Sequence, residues 1–95
     1  GGPVPNIPFS EAVKRHRKNR GMTREDVAKV AQLPTDRIRM IEEGDYCFKG
    51  VHQIENLCDA LRMNSAVKKI WIYEMSEYVE VPEYIYSPHQ VEKHK

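Results

Sequence analysis

The stretch REDVAKVAQLPTDRIRMIEE, residues 24–43, holds two short apolar-periodic segments on either side of a break. Val27, Ala28 and Ala31 recur at the spacing of one helical face, and Ile38 and Ile41 resume that spacing after Leu33 and Pro34 interrupt it. Thr23, three residues ahead of Asp26, makes a capping box with Asp in place of the usual Glu, so a helix is expected from Arg24 to Gln32. Thr35 can cap a second helix from Asp36 to Glu43, which Gly44 then ends. Two short helices joined by a tight turn, with small Ala28 where they must approach closely, make the chain all-α at its centre.

Working outward, GGPVPNIP at residues 1–8 carries three prolines, which remove backbone donors and fix φ, so an extended arm precedes the first helix. That helix is expected from Ser10 to Arg20, with Ser10 as cap and Gly21 as stop. Phe9, Val13 and the stem of Arg17 share one face; Lys14, Arg15, Lys18 and Arg20 crowd the rest, as a solvated face or a phosphate-binding one would. On the other side, a DYCFKG loop leads to a fourth helix, Val51 to Arg62, whose Ile54, Leu57, Cys58 and Leu61 form a core-facing stripe.

Asn64 and Ser65 mark the next break, and a fifth helix is expected from Ser65 to Tyr78. It has two apolar stripes: Val67, Ile70 and Trp71, then Ile72, Met75 and Val79. One core is not expected to take both. Ile72, Met75, Tyr78, Val79 and Val81 are therefore assigned to a second buried surface, a homodimer seam or a site for a different protein partner. After Val81 the chain should be non-helical, an extended tail in which Pro82 allows at most an edge strand, and SPHQVEKHK has no buried pattern and should fray.

Ninety-five residues of which 40% are hydrophobic suit one small domain and exclude a multidomain enzyme. No apolar run approaches the ~20 residues that cross a bilayer, and no basic start followed by an apolar stretch reads as a signal peptide, so no membrane association and a cytoplasmic location are expected. His16, His52, His89 and His94 with Cys47 and Cys58 match no CxxC or HxxxH spacing, so neither metal nor cofactor is expected. No Ser/His/Asp or Cys/His arrangement has a supporting context and no Gly-rich phosphate loop is present, so the chain is not expected to be an enzyme. The net charge of +1 conceals two opposed parts: residues 1–40 hold nine basic and four acidic residues, a net of +5, and residues 41–95 a net of −4. A basic half of this kind is an electrostatic footprint for nucleic acid.

From Arg24 to Glu43, and more broadly from about Phe9 to Ser65 with GMT before the second helix, IEEG ending the third and LCDALRMNS ending the fourth, the chain resembles the Cro and phage-repressor type (XRE-like) helix-turn-helix family. The resemblance implies a five-helix lambda-repressor-like domain over residues 9–65, with 66–87 for dimerisation or partner binding and 88–95 as a frayed end. It implies that the helix from Asp36 to Glu43 enters the major groove of double-stranded DNA amino-end first, with Thr35, Asp36, Arg37 and Met40 facing base edges. Phosphate contacts would come from Thr23, Arg24, Arg39, Tyr46 and Lys49, and Arg17 and Glu42 would form an ion pair that orients the recognition helix. The function implied is a transcriptional regulator, a repressor acting as a homodimer on a palindromic operator in the nucleoid.

The sequence departs from the family at several positions. Gln32 stands where a turn Gly is usual, which leads us to expect a slightly different turn; Arg24 replaces a bracing polar residue, often Gln, and Pro34 a small hydroxyl residue. Asp36, Glu43 and Asp45 put negative charge close to the expected DNA face. Those acids, with the acidic aromatic tail, motivate an alternative: an antitoxin-like or anti-regulator module that holds a protein partner through the fifth helix and the tail.

Overall fold

The computed structural model describes residues 6–80. Five α-helices follow one another, α1 (Phe9–Asn19), α2 (Arg24–Ala31), α3 (Thr35–Glu42), α4 (Val51–Ala60) and α5 (Ser65–Met75), and a single 3-10 turn (Ser76–Tyr78) closes the last. Among the described residues there is no strand; Phe48 and Val79 form one isolated parallel bridge. No helix among them is long and apolar enough to cross a membrane.

Each helix end has a local cause. Thr23 and Asp26 form the expected reciprocal cap: the Asp26 N–H donates to Thr23 Oγ1 at 3.0 Å and the Thr23 N–H to Asp26 Oδ2 at 2.9 Å. Asn64 caps α5 by accepting the Val67 N–H at 2.9 Å. Ser10 and Thr35 do not cap. Pro8 and Pro34, with φ of −69° and −62°, occupy the cap positions, so the two hydroxyl residues fall inside their helices. The Ser10 N–H is satisfied instead by the Tyr46 hydroxyl at 2.8 Å, from a loop 36 residues away.

Three helices end in the same double hydrogen bond around a left-handed residue. In α1, Gly21 (φ +63°) lets its own N–H reach Lys18 and the Met22 N–H reach Arg17; in α3, Gly44 (φ +89°) does the same toward Ile41 and Met40. In α4 the left-handed residue is Arg62 (φ +57°), with bonds to Asp59 and Cys58, so this helix stops at Ala60, short of the expected Arg62. α2 stops at Ala31 because Gln32 is left-handed, with φ 61° and ψ 44°. Gln32 thus adopts the conformation that a glycine supplies without steric cost.

Phe9, Val13, Val27, Ile38, Ile41, Ile54, Leu57, Cys58 and Leu61 are fully buried in one core, as their spacing predicted. Burial pushes the Cys58 thiol up to about 12, with Asp59 adding to the effect, so it remains a protonated core residue. Phe48, in a polar loop and outside any periodic pattern, is buried as completely.

The fifth helix differs from expectation. It ends at Met75, because Ser76 turns its hydroxyl back onto the Tyr73 carbonyl (2.7 Å) and the chain tightens into the 3-10 turn. Met75, assigned to a dimer seam, is only 7% exposed and lies in the same core as Trp71, four residues earlier on the same face. Val79 leaves the helix altogether: the Phe48 N–H donates to the Tyr78 carbonyl at 3.1 Å and the Glu80 N–H to the Phe48 carbonyl at 2.7 Å. Ile72 and Val79 are half-buried against the core, so one core does take both stripes. Tyr78 remains exposed; Val81, the rest of the tail and most of the proline-rich arm lie outside the described residues.

Because Gln32 bears a Cβ in the left-handed region, Gln32→Gly should stabilise the fold by about 0.5–1 kcal/mol, the relief of that strain less the larger unfolded-state entropy of glycine. Thermal unfolding should show a rise of a few degrees in Tm, and a fall would contradict the strain assigned to this turn.

Candidate nucleic-acid interface

One carboxylate gathers the three helices that precede the long loop. Glu42, in the last turn of α3, has no accessible side-chain surface. Arg17 of α1 grips it with both ends of its guanidinium, Nε to Oε2 at 2.6 Å and Nη2 to Oε1 at 3.1 Å, while its Nη1 donates to the Met22 carbonyl at 3.0 Å. Arg24, the first residue of α2, adds Nε to Oε1 at 3.1 Å. Burial would raise the Glu42 carboxyl, but the hydrogen bonds and charges of Arg17 and Arg24 outweigh it and hold the group below the usual glutamate range. The Arg17–Glu42 pair is the one that the family resemblance implied. The second arginine was not implied, and Arg24, expected on phosphate, is drawn inward instead.

Around this clamp lies an open depression of about 520 Å³, lined by Arg17, Thr23, Arg24, Glu25 and, from the start of α3, Thr35. Thr23 is held by its capping box, and the Arg24 and Glu25 N–H groups begin α2 beside it. With Glu42 and Glu25 set against Arg17 and Arg24, the charges at this corner balance, and the free N–H groups that begin α2 are its remaining donors.

On α3, Thr35 and Asp36 are exposed and Arg37 and Met40 half-exposed, with Ile38 and Ile41 on the buried side. All four predicted base-contact residues therefore share accessible surface of one helix. Arg39 is engaged within that helix: its Nε and Nη2 both reach Asp36 Oδ1, at 2.9 and 2.8 Å, and its Nη1 reaches Glu43 Oε1 at 2.9 Å. It was expected on the DNA backbone, and the i, i+3 and i, i+4 carboxylates that hold it instead were visible in the spacing.

Tyr46 is also placed otherwise than expected. Its hydroxyl accepts the Ser10 N–H, its ring packs edge-on against Phe9 and Tyr78 with centroids 6.0 and 5.1 Å apart, and it lines a separate groove at the start of α1 and the end of α5. Lys49 is exposed on the loop before α4, where its N–H donates to Gln53 at 2.8 Å. Among the described residues no three His, Cys, Asp or Glu side chains converge as metal ligands would.

No family model, no curated protein and no solved structure matches the chain.

Removing the shared carboxylate leaves Arg17 and Arg24 facing one another without a counter-charge. Glu42→Ala should therefore cost about 3–5 kcal/mol in urea unfolding, far more than loss of an exposed ion pair such as Arg15–Glu11. Because the folded carboxyl titrates below its ordinary value of 4.5, its contribution is complete above that pH and is lost as pH falls through the lower folded value. Urea midpoints followed downward from neutral pH should show that loss, and a midpoint that does not change through the acid range would contradict it.

Proposed function

We propose that the chain is a lambda-repressor-like helix-turn-helix domain of the Cro and phage-repressor type, and that it acts as a sequence-specific transcriptional regulator, a repressor, on double-stranded DNA in the cytoplasm. The observation that carries this reading is the clamp of Arg17 and Arg24 on Glu42, which fixes α1, α2 and α3 against one another with the polar face of α3 outward. A single helix held so that Thr35, Asp36, Arg37 and Met40 are accessible suits a major groove about 12 Å wide. The depression at the start of α2 would receive a phosphate beside it.

In this reading Arg37 reads guanine through its two terminal nitrogens, and Met40 offers an apolar surface to a thymine methyl. The net of +5 over residues 1–40 supplies the sequence-independent attraction. Two copies would bind a palindromic site with their α3 helices about one DNA turn, ~34 Å, apart. Among the described residues, Tyr73, 78% exposed on α5, and Tyr78 are apolar surfaces of the C-terminal part available to such a dimer, while Val30 and Val51 are exposed on α2 and α4.

A second reading, an antitoxin-like or anti-regulator module that holds a protein partner, rests on the same exposed tyrosines. They lie beside Glu74, Glu77 and Glu80, all exposed and acidic. A one-to-one complex with a second protein on purification would favour it.

Gel-shift titration at low salt tests the first reading, and absence of binding to any sequence would sink it. Arg37→Ala should cost about 1–3 kcal/mol on the preferred sequence and relax base preference, whereas Lys49→Ala should weaken all sequences alike and reduce the salt slope by about 0.9.

A further inference from the structure

Arg39 is the most fully engaged cation on α3. Each of its guanidinium nitrogens meets a carboxylate oxygen of α3 or of the residue that caps it, Nε and Nη2 on Asp36 Oδ1 and Nη1 on Glu43 Oε1, all between 2.8 and 2.9 Å. These groups are well exposed, Asp36 by 70% and Glu43 by 57%, and exposed pairs of this kind contribute little to folding. What they do set is direction. A side chain with one rotatable carboxylate, standing at the second position of α3, is held in one orientation by a planar fork that is itself anchored from the next turn.

Both Arg39 contacts fall on Oδ1, and Asp36 Oδ2 accepts no hydrogen bond from any described residue. The ion pair also offsets the charge of a carboxylate that would otherwise be repelled by DNA phosphates. An oriented, charge-compensated oxygen that can only accept is complementary to an exocyclic amino group. In the major groove cytosine N4 and adenine N6 carry such a group, while guanine and thymine offer acceptors that would face Asp36 with repulsion.

We infer that Arg39, braced by Glu43, is a positioning residue that holds Asp36 as a base-reading acceptor, so that the protein selects cytosine or adenine over guanine or thymine on the strand that the start of α3 faces. This rests on the DNA-binding reading and assigns α3 a division of roles: Arg37 reads acceptors, Asp36 reads donors, and Arg39 meets no phosphate.

Selection of bound duplexes from a randomised pool, followed by salt titrations of the purified full chain, tests this. The wild type should favour cytosine or adenine at one position per half-site, by about tenfold. Arg39→Ala should flatten that position, leave base preference at the others and the salt slope unaltered, and lower affinity for all sequences modestly as Asp36 and Glu43 lose their counter-charge. The double variant Asp36→Ala/Glu43→Gln should flatten the same position while binding all sequences more tightly, with a salt slope steeper by about 0.9 as the released Arg39 reaches a phosphate. If Arg39→Ala instead weakens every sequence by one factor and makes the slope shallower by about 0.9, Arg39 is a backbone contact and the inference fails while the DNA-binding reading stands. A wild-type preference for guanine or thymine at that position would also overturn it. Failure of the wild type to bind any duplex at low salt would remove the DNA-binding reading, and this inference with it.

Discussion

The Glu42 carboxylate is the constraint on which the arrangement of the first three helices depends. Apolar packing among α1, α2 and α3 favours their contact but tolerates rotation and sliding, since the residues that meet include the small Ala12, Ala28 and Ala31. A bidentate arginine does not tolerate them: the two Arg17 contacts at 2.6 and 3.1 Å fix both distance and plane. Arg24 brings in the first residue of α2, so three elements share one group. A buried carboxylate is costly to desolvate, and its compensation by three N–H donors gives position more than net stability.

Around that group, the chain relies on residues that end helices cleanly. Left-handed residues at Gly21, Gly44 and Arg62 stop α1, α3 and α4, and Gln32 stops α2 three residues before α3 begins. Short helices follow from these stops. None of the five exceeds eleven residues, and helices of such length are marginal alone in water, so each depends on the shared core. The aromatic group of Phe9, Tyr46, Phe48 and Trp71 joins the start of α1 to the loop before α4 and to α5, which ties the two ends of the described chain together.

What was legible in the sequence was local or strictly periodic. The Thr23–Asp26 cap involves three residues of separation, and the stripe of Ile54, Leu57, Cys58 and Leu61 follows from helical period alone. Ser10 and Thr35 misled because a proline stands one or two residues ahead of each and, with φ already set, takes the cap position, which draws the hydroxyl residue into the helix. Met75 misled for a different reason: an isolated helix viewed as a wheel has two apolar stripes, but a helix that stops at Met75 and folds Val79 back onto Phe48 needs only one buried side. Phe48 and Arg24 carried no periodic signal, and only tertiary contact reveals their partners at Val79 and Glu42.

The same contacts change what the charge distribution means. Of the nine basic residues in 1–40, Arg15, Arg17, Arg24 and Arg39 each lie within ion-pair distance of a carboxylate. Lys14, Lys18, Arg20, Lys29 and Arg37 have no such partner among the described residues. Only Arg37 of these five belongs to α3, where Asp36, Arg39 and Glu42 otherwise sum to one negative charge. An α3 that is neutral as a whole would gain little from phosphate attraction. If it meets DNA, its contribution must come from matched donors and acceptors on base edges, with the long-range attraction supplied by cations on α1 and α2.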